Sequence, residues 1–283
     1  MKILITGING QVGSALVRHT KAQGHEVIAI SREQWDMELS PEYGEELVVK
    51  SKPDLVINPA AFTNVDSAEN DEAVALKVNA DAPRALAKGC QQLKIPLFHI
   101  STDYVFDGDK EEPYVETDKT NPINAYGRTK LAVELAVQEE TQNYIILRTS
   151  WVFSKIGTNS VTTMRRLGKE RDELKIVHDQ CGGPTSADCI ANVLMSIASQ
   201  YLKGEDIPWG TYHYAGSPVV SWYEFAEAIL KAEDKVYKSK LTPCASTEYP
   251  TKAVRPKNSA LSIARIQREM GVLECNWVAE LRS

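Results

Sequence analysis

The stretch "KILITGINGQVG", residues 2–13, runs a short apolar segment directly into three glycines spaced three apart, Gly7, Gly10 and Gly13. A strand that ends in such a turn and reopens as a helix is the entry of a dinucleotide-binding unit. In that reading Gly7 permits the tight turn, Gly10 lets the backbone approach a diphosphate, and Gly13 lets the helix pack close to the strand. The diphosphate is expected at the helix N-terminus, beside Asn9, Gln11 and Val12, where unpaired N–H groups and the helix dipole favour negative charge.

Outward from that turn the pattern repeats. "EVIAI" (26–30), "DLVIN" (54–58), "PLFHIS" (96–101) and "YIILRTS" (144–150) are short and apolar, as strands of a parallel sheet covered on both faces should be. Amphipathic stretches at 11–23, 65–74, 79–94 and 125–141 separate them. Strand and helix in alternation predict an α/β fold, a doubly wound parallel Rossmann sheet. After about residue 155 the regularity weakens: a helix, a strand near 174–178, a Gly-Gly-Pro loop, further helices at 221–231 and 262–270, and a Pro- and Thr-rich stretch at 242–258. The expected division is a nucleotide-binding unit over 1–153, also receiving part of about 174–203. A smaller, discontinuous α/β substrate-binding lobe then takes most of 154–283 and faces the carboxyl ends of the strands.

Composition narrows the function classes. The chain has 283 residues, 43% hydrophobic and 25% charged, with a net charge of −6. With no basic run, neither nucleic acid nor an anionic membrane is an expected partner. "KILIT" is far too short for a signal-peptide core or a spanning helix. The five cysteines form an odd, scattered set without a C-x-x-C pair, which fits a reducing cytoplasm better than a disulfide framework. The five histidines lack zinc-ligand spacing, so no protein-bound catalytic metal is expected.

The end of the second strand reads the cofactor's adenosine ribose. An acidic residue there would bind a 2′-hydroxyl, whereas arginine accommodates a 2′-phosphate. "AISRE" places Ser31 and Arg32 at that point, favouring NADPH, with NADH as the alternative because Glu33 follows one residue later. Asp36 and Met37 are expected beside the adenine. The backbone of Ala60, Ala61, Phe62 and Thr63, after the third strand, is expected to pass the nicotinamide-side ribose.

"INAYGRTKLAVE" (123–134) sets Tyr126 and Lys130 one helical turn apart. The helix precedes the fifth strand and "STDYVFDG" ends the fourth, so Thr102, Tyr126 and Lys130 should meet at the carboxyl edge of the sheet. A phenol, an ammonium and a hydroxyl there make a set for ketone reduction. Tyr126 would donate a proton to the carbonyl oxygen, Thr102 would hydrogen-bond the same oxygen, and Lys130 would lower the Tyr126 pKa and hold the ribose.

With these residues in place the chain resembles the extended short-chain dehydrogenase/reductases. "GQVG", "STDYVFDG", "YGRTKLAVE", "LRTSWVF", "GGPTSA" and "RPKNSAL" span most of its length. Together they resemble the branch that reduces the C4 ketone of dTDP-4-dehydro-L-rhamnose with NAD(P)H, a step in supplying nucleotide sugars for cell-surface polysaccharide. The resemblance implies a dTDP-sugar substrate contacted by Thr102, Asp103, Tyr104 and Trp151. Arg255 is either a diphosphate partner or a structural arginine. Two alternatives within the superfamily, a 4,6-dehydratase and an epimerase, fit less well. The dehydratases carry Thr-Asp-Glu where this chain has Thr102-Asp103-Tyr104. A third alternative is a non-catalytic regulatory subunit resembling that of methionine adenosyltransferase, which lacks the equivalent of Trp151. Some members dimerise around Mg2+ held by glutamates. Ala15 and Asp188 stand at two of those positions, so a monomer is expected ahead of a homodimer and a role for Mg2+ stays open.

Overall fold

Alternation of apolar side chains along each central strand decides which helices cover which face. The computed structural model describes residues 1–232 and 237–282. It opens with β1 (Lys2–Thr6), α1 (Gln11–Ala22), β2 (Glu26–Ile30), α2 (Tyr43–Ser51) and β3 (Leu55–Asn58). Two short helices, α3 (Val65–Ala68) and α4 (Glu72–Leu76), lead through a π-turn (Lys77–Asp81) into α5 (Ala82–Leu93). The regular part then finishes with β4 (Leu97–Thr102), α6 (Ala125–Glu140) and β5 (Tyr144–Thr149). Ile3, Ile5, Leu55, Ile57, Ile145 and Leu147 turn to one face and pack with α1 residues such as Leu16. Leu4, Val56 and Ile146 turn to the other, against α2, α5 and α6 residues including Val48, Leu86 and Val133.

The second half of the chain is built from shorter pieces. β6 (Val152–Phe153), α7 (Ser160–Glu170), β7 (Glu173–Val177), β8 (Cys181–Gly182) and β9 (Thr185–Ser186) precede the long α8 (Ala187–Leu202). β10 (Gly210–His213), β11 (Gly216–Ser217), β12 (Val220–Ser221), α9 (Trp222–Lys231) and β13 (Lys240–Cys244) follow. The described chain closes with β14 (Asn258–Ser259), α10 (Ala264–Met270), β15 (Cys275–Asn276) and α11 (Trp277–Arg282). β7 pairs with β13, and β8 is held between β12 and β14.

The main sheet has the order β10-β5-β4-β3-β1-β2, with every pairing parallel. Strand order reverses between β1 and β3, and ligands of open α/β sheets bind at the carboxyl side of such a switch point. Helix α8 returns to lie on α1, its Ile190, Leu194 and Ile197 joining the same core. The chain also re-enters the sheet at β10, which the sequence reading did not anticipate, because "GTYH" carries no apolar run.

Three local differences have plain causes. The expected helix at 65–74 splits in two because both Asn64 and Asp71 act as N-caps, accepting from Ser67 N (3.0 Å) and Val74 N (3.1 Å). The expected helix at 79–94 starts instead as the π-turn, a form frequent at functional sites. The expectation drawn from the cysteines fails at one pair: Cys189 of α8 and Cys275 of β15 form a disulfide, with Cα atoms 5.9 Å apart. No described helix is long and apolar enough to cross a membrane.

Candidate active site

A cleft of about 1050 Å³ opens at the carboxyl ends of β1, β2, β3, β4 and β5, and the glycine turn forms one of its walls. Gly7 adopts φ +56°, and a Cβ there would lie 2.9 Å from the Cα of Ala60, so the turn sits directly on the exit of β3. Gly10 caps α1 without a side-chain cap, and no acidic residue occupies the first helical turn. The N-terminal N–H groups of α1 are thereby left for an anion. These features fit a dinucleotide diphosphate. Ser31, Arg32, Asp36 and Met37 line the far end of the same cleft, and Ala60, Ala61, Phe62 and Thr63 line its middle. Arg32 is 75% exposed and pairs with Asp36 and Glu38, each at 3.2 Å.

Thr102, Asp103, Tyr104, Tyr126 and Lys130 are brought together in this cleft. The start of α6, which carries Tyr126, is fixed from several sides. Asn124 caps it by accepting from Gly127 N (2.8 Å), and Glu69 accepts from Ala125 N (2.7 Å). A Cβ on Gly127 would stand 2.2 Å from the Tyr104 carbonyl oxygen, so only glycine lets the helix approach the end of β4 this closely. The two phenol rings consequently meet edge to face, with centroids 5.7 Å apart.

The electrostatics correct one expectation. Burial pushes the Tyr126 phenol well above its ordinary value, the Asp103 carboxylate adds to that, and the hydrogen bond from Thr102 works against it. Lys130 does not lower it in this structure, because its ammonium is turned to the Ile100 carbonyl (2.6 Å) and to His99 Nε2 (3.2 Å). Burial brings Lys130 itself down to about 8, opposed by the nearby Glu134 carboxylate. Asp103 is raised to about 7, mainly by burial and against hydrogen bonds from Ser259 and Thr102, and its Oδ2 meets no hydrogen-bond partner among the described residues.

Several residues that build the site were not singled out from sequence. His99 Nδ1 meets Asn58 Nδ2 at 3.0 Å, and the Thr6 hydroxyl donates to Asn58 Oδ1. A buried polar chain therefore runs from Lys130 across β4 and β3 to β1. Asn79, in the π-turn, accepts from Phe62 N (2.7 Å) and donates to Phe62 O (3.2 Å) and Thr129 Oγ1 (3.0 Å). It ties the cofactor-side loop to the helix of Tyr126. A π-turn beside an otherwise helical pattern leaves no reliable mark in sequence.

On the opposite wall Trp151 lines the cleft with φ +49°, a left-handed conformation uncommon for a bulky residue. Its ring stacks on Trp222, which also lines the cleft and was not foreseen. Arg255 does not line the cleft. It pairs with Asp66 (2.8 Å) and reaches the Tyr104 hydroxyl, bracing that side chain from behind. Of the positions implied for Mg2+, Ala15 is buried and Asp188 is engaged by Arg18 (2.8 Å) and His19 (2.9 Å). A neutral methyl group and an already paired carboxylate do not fit a divalent cation.

A Rossmann sheet whose switch-point cleft carries both a glycine turn and a Tyr-x-x-x-Lys helix defines a protein of the short-chain dehydrogenase/reductase class. Within that class, the model of the family described as RmlD substrate binding domain matches residues 1–283, and the chain belongs to that family. It is 40% identical to a dTDP-4-dehydrorhamnose reductase of Sinorhizobium fredii over 288 residues, covering 100% of this chain and 96% of the relative. A solved dTDP-4-dehydrorhamnose reductase of Clostridium acetobutylicum superposes with a TM-score of 0.93 at 38% identity, covering 100% of this chain and 97% of that one. The corresponding structure from Bacillus anthracis, in complex with NADP, gives 0.91 at 34% identity, covering 99% and 96%.

Proposed function

We propose that this chain reduces the C4 ketone of dTDP-4-dehydro-L-rhamnose to dTDP-L-rhamnose with NADPH. The observation that carries the reading is the convergence of Thr102, Tyr126 and Lys130 in the cleft that also holds the glycine turn, in a chain whose full-length relatives bear that reductase's name. NADPH, which the glycine turn (Gly7, Gly10, Gly13), Ser31 and Arg32 would hold, would supply the hydride for reduction of the carbonyl carbon. Tyr126 gives its phenol proton to the C4 oxygen, and Thr102 hydrogen-bonds the same oxygen so that its growing charge is shared. Lys130, anchored by His99 and Ile100, would present its positive charge to the nicotinamide-side ribose. Tyr104 stands where water elimination would need a second carboxylate, which favours simple reduction. The direct test is NADPH oxidation with dTDP-4-dehydro-L-rhamnose and identification of the product. Absence of dTDP-L-rhamnose would overturn the proposal.

The pH dependence follows from Lys130. Its folded-state pKa lies below the ordinary lysine value, at about 8, so the ammonium persists below that pH and is lost above it. The phenol, pushed upward, stays protonated over the same range. kcat/KM should therefore fall as pH rises through about 8. Lys130→Arg, whose charge does not titrate, should lower the rate yet abolish that limb. A wild-type limb only above about pH 10, the ordinary range of a phenol, would assign it elsewhere.

Arg32 supports NADPH over NADH, although it must exchange Asp36 and Glu38 for the 2′-phosphate. Arg32→Ala should weaken NADPH by roughly 1–2 kcal/mol, toward the low end for hydrogen bonds to charged groups, and leave NADH nearly unchanged. Equal losses for both cofactors would rule out a phosphate-reading role.

We further propose that the protein works as a monomer without Mg2+, because Arg18 and His19 already occupy the Asp188 carboxylate. Sedimentation should give one monomeric species, identical with Mg2+ and with EDTA. A shift to dimer on adding Mg2+ would contradict this.

A further inference from the structure

Trp151 has no free ring face. A Cβ on Gly182 would stand 2.6, 2.8 and 3.0 Å from its Cε2, Nε1 and Cζ2. Three adjacent ring atoms at such similar distances, with the shared carbon nearest, place Gly182 over the face of the indole and not at its edge. The opposite face is covered by Trp222, whose ring lies 3.6 Å away centroid to centroid and within 10° of parallel. Trp151 is also pinned by its backbone. Its φ is +49°, and its carbonyl accepts from Thr185 N at 3.2 Å. Gly182 belongs to β8, which is paired on both sides.

Trp222 is placed differently. It is the first residue of α9, and a capping box sets where that helix begins: Glu224 N donates to Ser221 Oγ (3.2 Å) and Ser221 N to Glu224 Oε2 (2.7 Å). Two other tryptophans satisfy their ring N–H groups within the protein, Trp35 on Ser40 O (2.9 Å) and Trp277 on Pro218 O (2.7 Å). The Trp222 N–H, like that of Trp151, meets no acceptor among the described residues, and it is not sealed from solvent, so it is open to a ligand in the cleft. Its half-buried ring lines the same cleft as Tyr126 and Thr102.

We propose that Trp222 is a substrate-contacting residue, supplying the aromatic surface and the free N–H donor to the deoxysugar ring, while Trp151 serves as its rigid backing. The proposal rests on the nucleotide-sugar reading above, and it leaves Trp151, a substrate contact implied by the resemblance, only the edge of its ring to offer the sugar.

The test compares Trp222→Ala, Trp222→Phe and Trp151→Phe with the wild-type protein. It uses steady-state kinetics, titration with dTDP-L-rhamnose followed by tryptophan fluorescence, NADPH affinity and thermal melting. Trp222→Ala should lose ~10-fold or more in kcat/KM for the nucleotide sugar, because misplacement at a reacting centre is costly. Much of that loss should appear as a higher KM and weaker dTDP-L-rhamnose binding. Trp222→Phe should recover part of it, restoring surface without the donor, and Trp151→Phe should lose less than Trp222→Ala. NADPH affinity should stay within about threefold in every variant, under about 0.7 kcal/mol. A Trp222→Ala protein that melts lower yet keeps wild-type KM and dTDP-L-rhamnose affinity would overturn the proposal, because packing alone would then explain the stack. Wild-type protein that binds NADPH but no dTDP-sugar would instead defeat the nucleotide-sugar reading, and the proposal with it.

Discussion

Tyr126→Phe is expected to cut turnover at least ~100-fold, the lower scale of general acid catalysis, while NADPH affinity and thermal stability stay nearly unchanged. The substitution removes one hydroxyl and keeps the ring, so the edge-to-face contact with Tyr104 survives. The start of α6 is held by Asn124, Glu69 and the close approach at Gly127, none of which involves the phenol. The loss should fall mainly on kcat, because the proton is delivered only as the carbonyl carbon is reduced. Thr102 and Lys130 remain and account for a residual rate. Steady-state kinetics, an NADPH titration and a melting curve on the same preparation make the check. A variant retaining more than half its turnover would remove Tyr126 from the role of proton donor.

Arg148→Met should destabilise the fold by roughly 3–5 kcal/mol, the cost of leaving a buried charge without its partner. Arg148 of β5 holds Glu134 of α6 through two hydrogen bonds of 2.9 and 2.6 Å, and the side chains are only 6% and 1% exposed. Ser101 donates to the same carboxylate at 2.5 Å. The cluster fastens α6 to the sheet one turn beyond Lys130, so the damage should reach activity as well as stability. Replacing both partners, Arg148→Met with Glu134→Leu, should restore most of the loss, because well-packed apolar residues are often as stable as a buried ion pair. Urea unfolding of the two single variants and the double variant measures this. A single-variant loss below about 1 kcal/mol, the level of an exposed pair, would show that Glu134 finds water or another partner.

What the sequence determined by itself was local and periodic. Five strands of the main sheet were legible because each is a short apolar run between helical patterns, and chain neighbours set that alternation. The glycine turn was legible because its spacing is a backbone requirement, visible wherever the residues stand. Tyr126 and Lys130 were legible as a pair because a helix places i and i+4 on one face whatever surrounds it. What only the tertiary structure decided was which groups lose water and which distant groups they meet. His99, Asn58 and Asn79 read as ordinary polar residues until burial forces each to find a partner. β10 joins the sheet through pairing with β5, although its own four residues carry little strand signal. Arg255 settles on Asp66, 189 positions away, and Cys189 on Cys275, 86 positions away. The high phenol and low ammonium pKa values have the same origin. Desolvation is a property of everything packed around a group, so no spacing along the chain can reveal it.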